Sequence, residues 1–323
     1  MDGRPTREML SSLIRWNGKR VLVCSAFPRK KESNFEAIIE DIHLLDSLGV
    51  DLHFLCNSVD IPFLENTLQE RGVKYHEVVE EKDLFTLVEV LKASKFFFLC
   101  NTDGIFNKGK LVSEMTDMEA QELLEEENVV NGLMRTCLEY AVGFCDIGIS
   151  RVHFTNICRR EAFLEEFLTG KGSGTMIYRA GSSYKKVRSA TRSDIPEVTR
   201  ILKSLLNGCV FESFIAENID KFVVFAIDGY PYGALMLNPE VNGKMKMSYL
   251  GYSSELAVSE VLTPLIKYAV NKSMKLRKKQ LYLCAEQAPP LVGILPDFLN
   301  FGFKKERMFD LNQGSKEVWV KEL

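Results

Sequence analysis

Short apolar runs alternate with amphipathic segments through the first 180 residues. The runs Val21–Cys24, Leu52–Cys56 and Phe96–Cys100 have the length and apolar content of buried strands. Between the first two runs, apolar residues recur every three or four positions from Asn34 to Leu48, and Gly49 follows. This pattern predicts a helix that ends at a glycine.

The same criteria predict the remaining elements of this region. Helices are predicted at 6–16, 61–71, 84–93, 117–127, 129–144 and 161–168, and extended segments at 73–79, 152–155 and 175–178. Strands that alternate with helices predict βαβ units and a mainly parallel sheet, so we expect an α/β domain over residues 1–180.

A second succession of elements follows the small, flexible residues Arg179–Ser183, which predict a linker. Extended segments are predicted at 185–189, 222–227, 233–237, 245–252 and 281–284, and helices after Thr191, at 258–274 and at 291–300. Asp228–Tyr232 carries the turn residues of a hairpin. We therefore predict a second domain over residues 184–323.

Composition narrows the class of protein. The 323 residues are 46% hydrophobic and 26% charged, as in an ordinary globular protein. The net charge of −3 argues against a nucleic-acid partner, and no apolar run approaches the roughly 18 residues of a membrane span. The sequence therefore predicts neither a nucleic-acid nor a membrane partner.

Eight cysteines are scattered without a Cys-x-x-Cys pair, which argues against a metal site. Their positions in apolar runs indicate a reducing compartment, and we expect the cytosol. Two early arginines and Ser11–Ser12 leave a mitochondrial presequence as the alternative, against which Asp2 and Glu8 argue.

Five segments, in this order, resemble one known family. They are Arg7–Leu10 with Gly18–Val21, Asn34–Val50, Arg151–His153, Glu166–Thr175 and Leu311–Lys316. The chain resembles the N-acetylglutamate synthases, in which an amino-acid-kinase-like domain precedes an acetyltransferase domain of the GNAT type. The resemblance implies a divergent, shortened form: a mainly parallel amino-acid-kinase-like domain at 1–180, and an α+β GNAT domain with a mixed sheet at 184–323.

The resemblance also implies a function. It implies acetyl transfer from acetyl-CoA, as co-substrate, to the amino group of glutamate or a related small amino acid, in arginine biosynthesis. It further implies an arginine effector and a homo-oligomer. The kinase relatives hold phosphate with a lysine, glycines and a histidine-glycine pair, whereas here Cys24, Ala26, Phe27 and Cys56–Asn57 stand. Without these glycines and a cation, no kinase site is expected.

The acetyltransferase half departs from the pattern as well. Its superfamily holds the CoA pyrophosphate with a basic, glycine-rich loop before a helix, but Gly251–Glu260 has no arginine, no Gly-x-Gly and two carboxylates, Glu255 and Glu260. Pantetheine can still pair with main-chain groups, which any residue provides. The cofactor positions that the resemblance implies are Leu250, Gly251, Tyr252, Val258 and Ser259.

The catalytic residues of the family are also replaced. The position of the family's strand glutamate lies near Met247 in this chain. The position of the arginine that holds the substrate carboxylate in the family lies near Phe211–Ser213. Amine acetylation needs proton removal and stabilisation of an oxyanion. Substitutes for these tasks are Tyr249, Cys284, Glu286 and Glu255; the plainer interpretation makes them a sheet residue, a core thiol and two solvated carboxylates.

The region that resembles the arginine-responsive end offers four effector-binding candidates, His153, Glu166, Gly172 and Gly174. Glu166 would pair with a guanidinium, the glycines would let the backbone approach it, and His153 would line the pocket. Alternatively, Glu166 is a solvated helix residue beside Glu165, and the glycines only turn the chain.

Three functional hypotheses remain open from the sequence. The first is an amino-acid N-acetyltransferase of the N-acetylglutamate synthase type. The second is a catalytically inactive paralogue that binds arginine or a partner. The third is an acetyltransferase for a different amine, because the carboxylate-holding arginine is replaced.

Overall fold

The computed structural model describes residues 13, 16–25, 35–126, 129–130, 132–169, 172–182, 184–205, 211–254, 256–284, 295–310 and 314–323. The chain divides into two compact units, Met1–Ser182 and Ser183–Leu323. Each unit has its own sheet, and each is described by itself below.

The first unit is built on a seven-stranded sheet in the order β3-β2-β1-β4-β8-β9-β7. Its strands are β1 (Arg20–Ser25), β2 (Asp51–Asn57), β3 (Lys74–Val78), β4 (Lys95–Cys100), β7 (Glu114–Thr116), β8 (Arg151–Asn156) and β9 (Thr175–Tyr178). β3, β2, β1, β4 and β8 are parallel, and β9 runs antiparallel to β8 and parallel to β7. The mainly parallel sheet predicted from the sequence is confirmed.

Helices cover both faces of this sheet. They are α1 (Phe35–Ser47), α2 (Ile61–Glu70), α3 (Glu81–Leu91), α4 (Asp117–Glu125), α5 (Gly132–Asp146) and α6 (Ala162–Leu168). Val21 and Val23 of β1 belong to one buried core and Leu22 and Cys24 to a second, because successive strand residues face opposite sides. Burial on both faces explains why the strands read as continuous apolar runs.

The sequence misses the short elements of this unit. β5 (Phe106–Asn107) and β6 (Lys110–Leu111) form a hairpin whose strands have two residues each, and β7 is an edge strand of three residues. All three are too short to show a period. Most of the helix predicted at 6–16 lies outside the described residues.

The second unit is a seven-stranded mixed sheet in the order β10-β11-β12-β13-β14-β16-β15. Its strands are β10 (Lys185–Ser189), β11 (Phe222–Ile227), β12 (Tyr230–Pro239), β13 (Lys244–Tyr252), β14 (Gln280–Cys284), β15 (Lys304–Asp310) and β16 (Gly314–Glu322). Its helices are α7 (Ile195–Leu205), α8 (Glu212–Glu217), α9 (Val258–Lys275) and α10 (Leu295–Asn300), and single 3-10 turns lie at Arg192–Asp194 and Ile219–Lys221. The predicted hairpin is confirmed, with Asp228 and Gly229 both at positive φ between β11 and β12.

α7 and α9 cover opposite faces of this sheet. Val198 and Leu202 of α7 share a buried core with Ala234 and Met236 of β12. Gly233, the neighbour of Ala234, faces α9 instead: a Cβ placed there would lie 2.3 Å from Val261 Cγ1. The missing side chain therefore lets the first turns of α9 lie close against the strand.

No described helix in either unit combines the length and the apolar content needed to cross a membrane.

Candidate functional site

The centre of the second unit contains a gap between two neighbouring strands. β13 pairs with β14 in parallel only from Lys244–Gln280 to Met247–Leu283. β13 then continues to Tyr252, whereas β14 continues in register with β16, Cys284 opposite Val318. Among the described residues, no pair between β13 and β14 follows Met247–Leu283, so main-chain groups on that side of β13 can take another partner.

An irregularity in β13 lies where this gap opens. Met236 of β12 pairs with Ser248, but Ala234 pairs with Gly251, so β13 carries one extra residue between the two pairs. Tyr249 has φ of +50° there, a conformation that a bulky residue rarely adopts. Such a bulge bends the strand and redirects a side chain, and bulges are over-represented beside active sites.

The predicted cofactor residues lie along this segment and at the start of α9. Leu250 and Gly251 are buried, Tyr252 and Val258 are half-buried, and Ser259 is exposed. Ala257 precedes α9 without a side-chain cap, so the first N–H groups of the helix receive no side-chain acceptor from this residue. A cofactor role for these five residues stays a prediction.

Two cations near this helix start were missed from the sequence. Lys185 Nζ lies 2.8 Å from Glu260 Oε1, so the carboxylate in the first turn of α9 is paired. Arg200 Nη2 lies 3.4 Å from Ser253 Oγ, in the turn before the helix, and also pairs with Glu197. The strands and α7 bring these residues together from distant positions in the chain, which local motif spacing does not show.

Of the four catalytic candidates, Tyr249 is the one whose side chain the structure describes. Tyr249 lies at the gap, with its ring centroid 5.1 Å from that of Phe214. Cys284 ends β14, and only its backbone is described; Glu255 and Glu286 lie outside the described residues. Met247, near the place of the family's glutamate, is fully buried and has no ionisable group. The catalytic roles stay predictions.

In the first unit, the four effector-binding candidates do come together. His153 Nδ1 lies 2.6 Å from Glu166 Oε1, and both side chains are about 4% exposed. Glu166 Oε2 accepts hydrogen bonds from the N–H groups of Ser173 (2.6 Å) and Gly174 (2.8 Å). Because a carboxylate only accepts, His153 must donate from Nδ1 when Glu166 is ionised.

Both glycines are needed for this contact. Gly172 has φ of +65°, and a Cβ there would lie 2.6 Å from Glu166 Oε2. A Cβ on Gly174 would lie 1.9 Å from the carbonyl oxygen of Phe154. The interpretation of Glu166 as a solvated residue is wrong, because it is buried and binds the loop at residues 172–174.

Burial lowers the pKa of His153 to about 4, against the opposing effect of Glu166, and the positive charges of Lys95 and Arg151 act in the same direction as burial. Burial alone would raise the pKa of Glu166, but the hydrogen bonds from His153, Ser173 and Gly174 outweigh it and hold that pKa below its usual value. The pair is therefore a neutral imidazole and a carboxylate near neutral pH.

Aromatic rings and two buried cations surround this pair. The His153 ring stacks on Phe97 at 4.5 Å. Lys95 Nζ lies 4.1 Å from the centroid of the Trp16 ring, and the guanidinium carbon of Arg151 lies 5.5 Å from it. Lys95, Arg151 and His153 lie on one face of neighbouring strands, since Lys95 pairs with Arg151 and Phe97 with His153. Of these surroundings, the sequence pointed only to Arg151, through the family pattern.

His153 Nε2 and Thr155 Oγ1, two positions apart on β8, are buried polar atoms of this face without a hydrogen-bond partner among the described residues. A neutral imidazole that donates from Nδ1 offers a lone pair at Nε2, and a hydroxyl can donate or accept. Buried polar atoms are normally paired, so the site has capacity for a bound water or a small N–H donor.

Among the described residues, no group of three or more His, Cys, Asp or Glu side chains is arranged to hold a metal ion.

Comparisons with known proteins agree with the resemblance seen in the sequence. No protein-family model matches the chain. The amino-acid acetyltransferase of Buchnera aphidicola is 22% identical over 253 residues, which cover 74% of this chain and 57% of that protein. The amino-acid acetyltransferase of an Enterobacter species is 30% identical over 157 residues, 46% of this chain and 35% of that protein.

The crystal structure of N-acetylglutamate synthase from Neisseria gonorrhoeae, complexed with coenzyme A and L-arginine, superposes with a TM-score of 0.74. The alignment covers 98% of both chains at 15% sequence identity. The resemblance and the fold expected from it are thereby confirmed. The chain spans little more than half the length of the Buchnera relative, and about a third of the Enterobacter one.

Proposed function

We propose that the protein is an acetyl-CoA-dependent amino-acid N-acetyltransferase of the cytosol, with acetyl-CoA bound along β13 and the acceptor amine at the gap between β13 and β14. The gap is the observation that carries the proposal. It offers main-chain groups beyond Met247 beside the start of α9, as a pantetheine arm requires. The relatives named amino-acid acetyltransferase, and the fold shared with a coenzyme A-bound synthase, support the same activity.

The surroundings of α9 compensate for part of the missing phosphate loop. Lys185 neutralises Glu260, which removes one of the two carboxylates that would repel a pyrophosphate. Arg200 supplies a guanidinium at the turn before the helix. In the proposed complex, N–H groups at the start of α9 and the Arg200 side chain bind phosphate, and β13 binds pantetheine.

The chemical step needs few groups from the protein. The acceptor ammonium first loses one proton to water. The nitrogen lone pair then attacks the thioester carbon, the carbon–sulfur bond breaks, and the second proton lost by the nitrogen passes to the departing thiolate, which gives free coenzyme A. Tyr249 lies on β13 beside the gap, and an N–H donor in the bulge can stabilise the oxyanion. Met247 cannot act as a base.

We further propose that arginine binds at His153 and Glu166 as an effector. Three of about four lone-pair positions of Glu166 are already occupied by His153, Ser173 and Gly174. A bidentate guanidinium therefore has to displace one of these donors, and His153 Nε2 and Thr155 Oγ1 can accept further N–H groups. The proposed homo-oligomer stays a prediction.

A second candidate function has a specific observation in its favour. The residue near the family's glutamate is the buried Met247, which suits an inactive paralogue that binds arginine or a partner. Calorimetric titration of the full chain with acetyl-CoA, and in a second experiment with arginine, distinguishes the two candidate functions.

The proposed enzyme binds acetyl-CoA and, with amino acids added, forms acetylated product that mass spectrometry detects. Arginine binding without acetyl-CoA binding or product supports the paralogue instead. Arg200→Ala tests the phosphate contact, with Lys203→Ala, an exposed lysine on the same helix, as the matched control. We expect acetyl-CoA affinity to fall about tenfold in the first variant only.

A further inference from the structure

We infer that the acceptor is an amine with an apolar carbon skeleton, such as an aromatic or branched aliphatic amino acid, and that the ring of Tyr249 selects it. The inference rests on the proposed acetyltransferase function of the gap between β13 and β14. It concerns the class of acceptor, which that proposal leaves open.

The acceptor must reach the gap from the face that carries α7 and α8. The opposite face is covered by α9, which lies close against Gly233 and whose first turn takes the cofactor phosphates in the proposed complex. The side chain of Tyr249 points to the α7 and α8 face, since it packs against the core formed by Val198, Phe222 and Met236. Tyr249 therefore lies on the acceptor side of the sheet.

The Tyr249 ring is fixed in position beside the gap between β13 and β14. The bulge fixes its backbone at φ +50°, and its ring centroid lies 5.1 Å from that of Phe214 and 6.5 Å from that of Phe222. The ring is half-buried, and its hydroxyl has no hydrogen-bond partner among the described residues. An aromatic ring that is fixed in position and partly exposed favours an apolar group of a substrate.

The charge on the same face disfavours an acidic acceptor. The helices of this face and the 3-10 turn after α8 carry four carboxylates, Glu197, Glu212, Glu217 and Asp220, against three bases, Arg200, Lys203 and Lys221, a net charge of −1. This small negative excess favours the ammonium group of the acceptor over the second carboxylate of glutamate. Ring and charge together select an amine without a side-chain acid.

The transfer itself is unchanged by this choice of acceptor. Water takes one proton from the ammonium group, the nitrogen lone pair attacks the acetyl carbon, the carbon–sulfur bond breaks, and the second nitrogen proton passes to the thiolate, which leaves as coenzyme A. No oxidant, reductant or further reactant is needed.

The test is steady-state acetylation by the full chain with leucine, phenylalanine, glutamate and aspartate as acceptors, quantified by mass spectrometry of the product. We expect kcat/KM for leucine and phenylalanine to exceed that for glutamate by about tenfold or more. Tyr249→Ala should raise KM for phenylalanine about threefold to tenfold, whereas Tyr249→Phe, which keeps the ring, should keep the parent's KM for phenylalanine. Tyr268→Ala, on α9, is the matched aromatic control and should leave this KM unchanged.

Three results would overturn the inference while the proposed function stands: glutamate as the better acceptor, an unchanged KM for phenylalanine in Tyr249→Ala, or a KM raised as much in Tyr249→Phe as in Tyr249→Ala. Acetyl-CoA binding, measured as a thermal shift, shows that each variant is folded. If Tyr249→Ala does not fold, Tyr249→Leu takes its place, because it removes the ring and keeps apolar bulk. A parent chain that neither binds acetyl-CoA nor acetylates any acceptor would overturn the proposed function itself, and the inference with it.

Discussion

Replacement of Glu166 by alanine should destabilise the first unit, because this side chain accepts three hydrogen bonds in a buried place. His153 Nδ1 and the N–H groups of Ser173 and Gly174 all donate to it within 2.8 Å. Glu166→Ala leaves these three donors without their acceptor and weakens the contact between α6 and the loop at residues 172–174, which keeps the hydrogen bond from Ser173 Oγ to the Ala162 carbonyl oxygen.

The magnitude follows from the three orphaned donors. Each buried donor without a partner costs about 1–3 kcal/mol, and water that enters the vacated space recovers part of this. We expect a loss of about 3–5 kcal/mol, the range that is typical of breaking a buried polar pair. With an m-value of about 2 kcal/mol/M for urea, the unfolding midpoint should fall by about 1.5–2.5 M.

The chain provides a local reporter and a matched control. It has two tryptophans, and Trp16 lies in the first unit beside Phe167, so a Trp319→Phe background leaves Trp16 fluorescence to report on the first unit alone. Glu165→Ala is the control, because Glu165 lies next in sequence, is half-exposed and, among the described residues, forms its ion pair with Arg159 at the surface. Its loss should stay below about 1 kcal/mol. Equal midpoints for the two variants would refute the structural role of Glu166.

Three further predictions concern close contacts and one carboxyl. Gly174→Ala should lower the urea midpoint of the first unit by about 1 M or more, because its Cβ would lie 1.9 Å from the Phe154 carbonyl oxygen; an unchanged midpoint would contradict this contact. Gly233→Ala should weaken acetyl-CoA binding in calorimetry, since its Cβ would push Val261 and the start of α9 away from the sheet. An unaltered affinity for acetyl-CoA would count against the proposed cofactor-binding site. Burial, with help from Glu40, raises the pKa of Asp41 to about 6, so the native state binds this proton more tightly than the unfolded state and the stability of the protein falls as pH rises through about 6. Asp41→Asn should remove that fall in thermal melts at pH 5 and pH 8. Identical pH profiles of the variant and the parent would refute the prediction.

The main elements of both sheets could be predicted from the sequence, because apolar residues run together or recur at regular spacing along them. The buried residues of α1, among them Phe35, Ile38 and Ile42, are those that the helical period selected. Leu48, assigned to the same helix, lies after its end and is 45% exposed, because a period does not mark where a helix stops. The bulge at Tyr249 could not be predicted, since the extra residue is visible only against the partner strand β12.

The candidate sites were predictable only in part, for a physical reason. His153, Glu166, Gly172 and Gly174 could be grouped from a family pattern, and the structure brings them together. Burial of Glu166, and the nearness of Lys95 to Trp16, depend on strand pairing and helix packing between distant segments. No local spacing records such contacts.

Acetyl transfer by the purified full chain tests the central claim most directly. With labelled acetyl-CoA and a set of acidic, aromatic and aliphatic amino acids, the account predicts acetyl-CoA-dependent formation of an N-acetylated amino acid, lost when the amine is omitted. Absence of any acetylated product, in a preparation whose tryptophan fluorescence and cooperative unfolding show that it is folded, would contradict it.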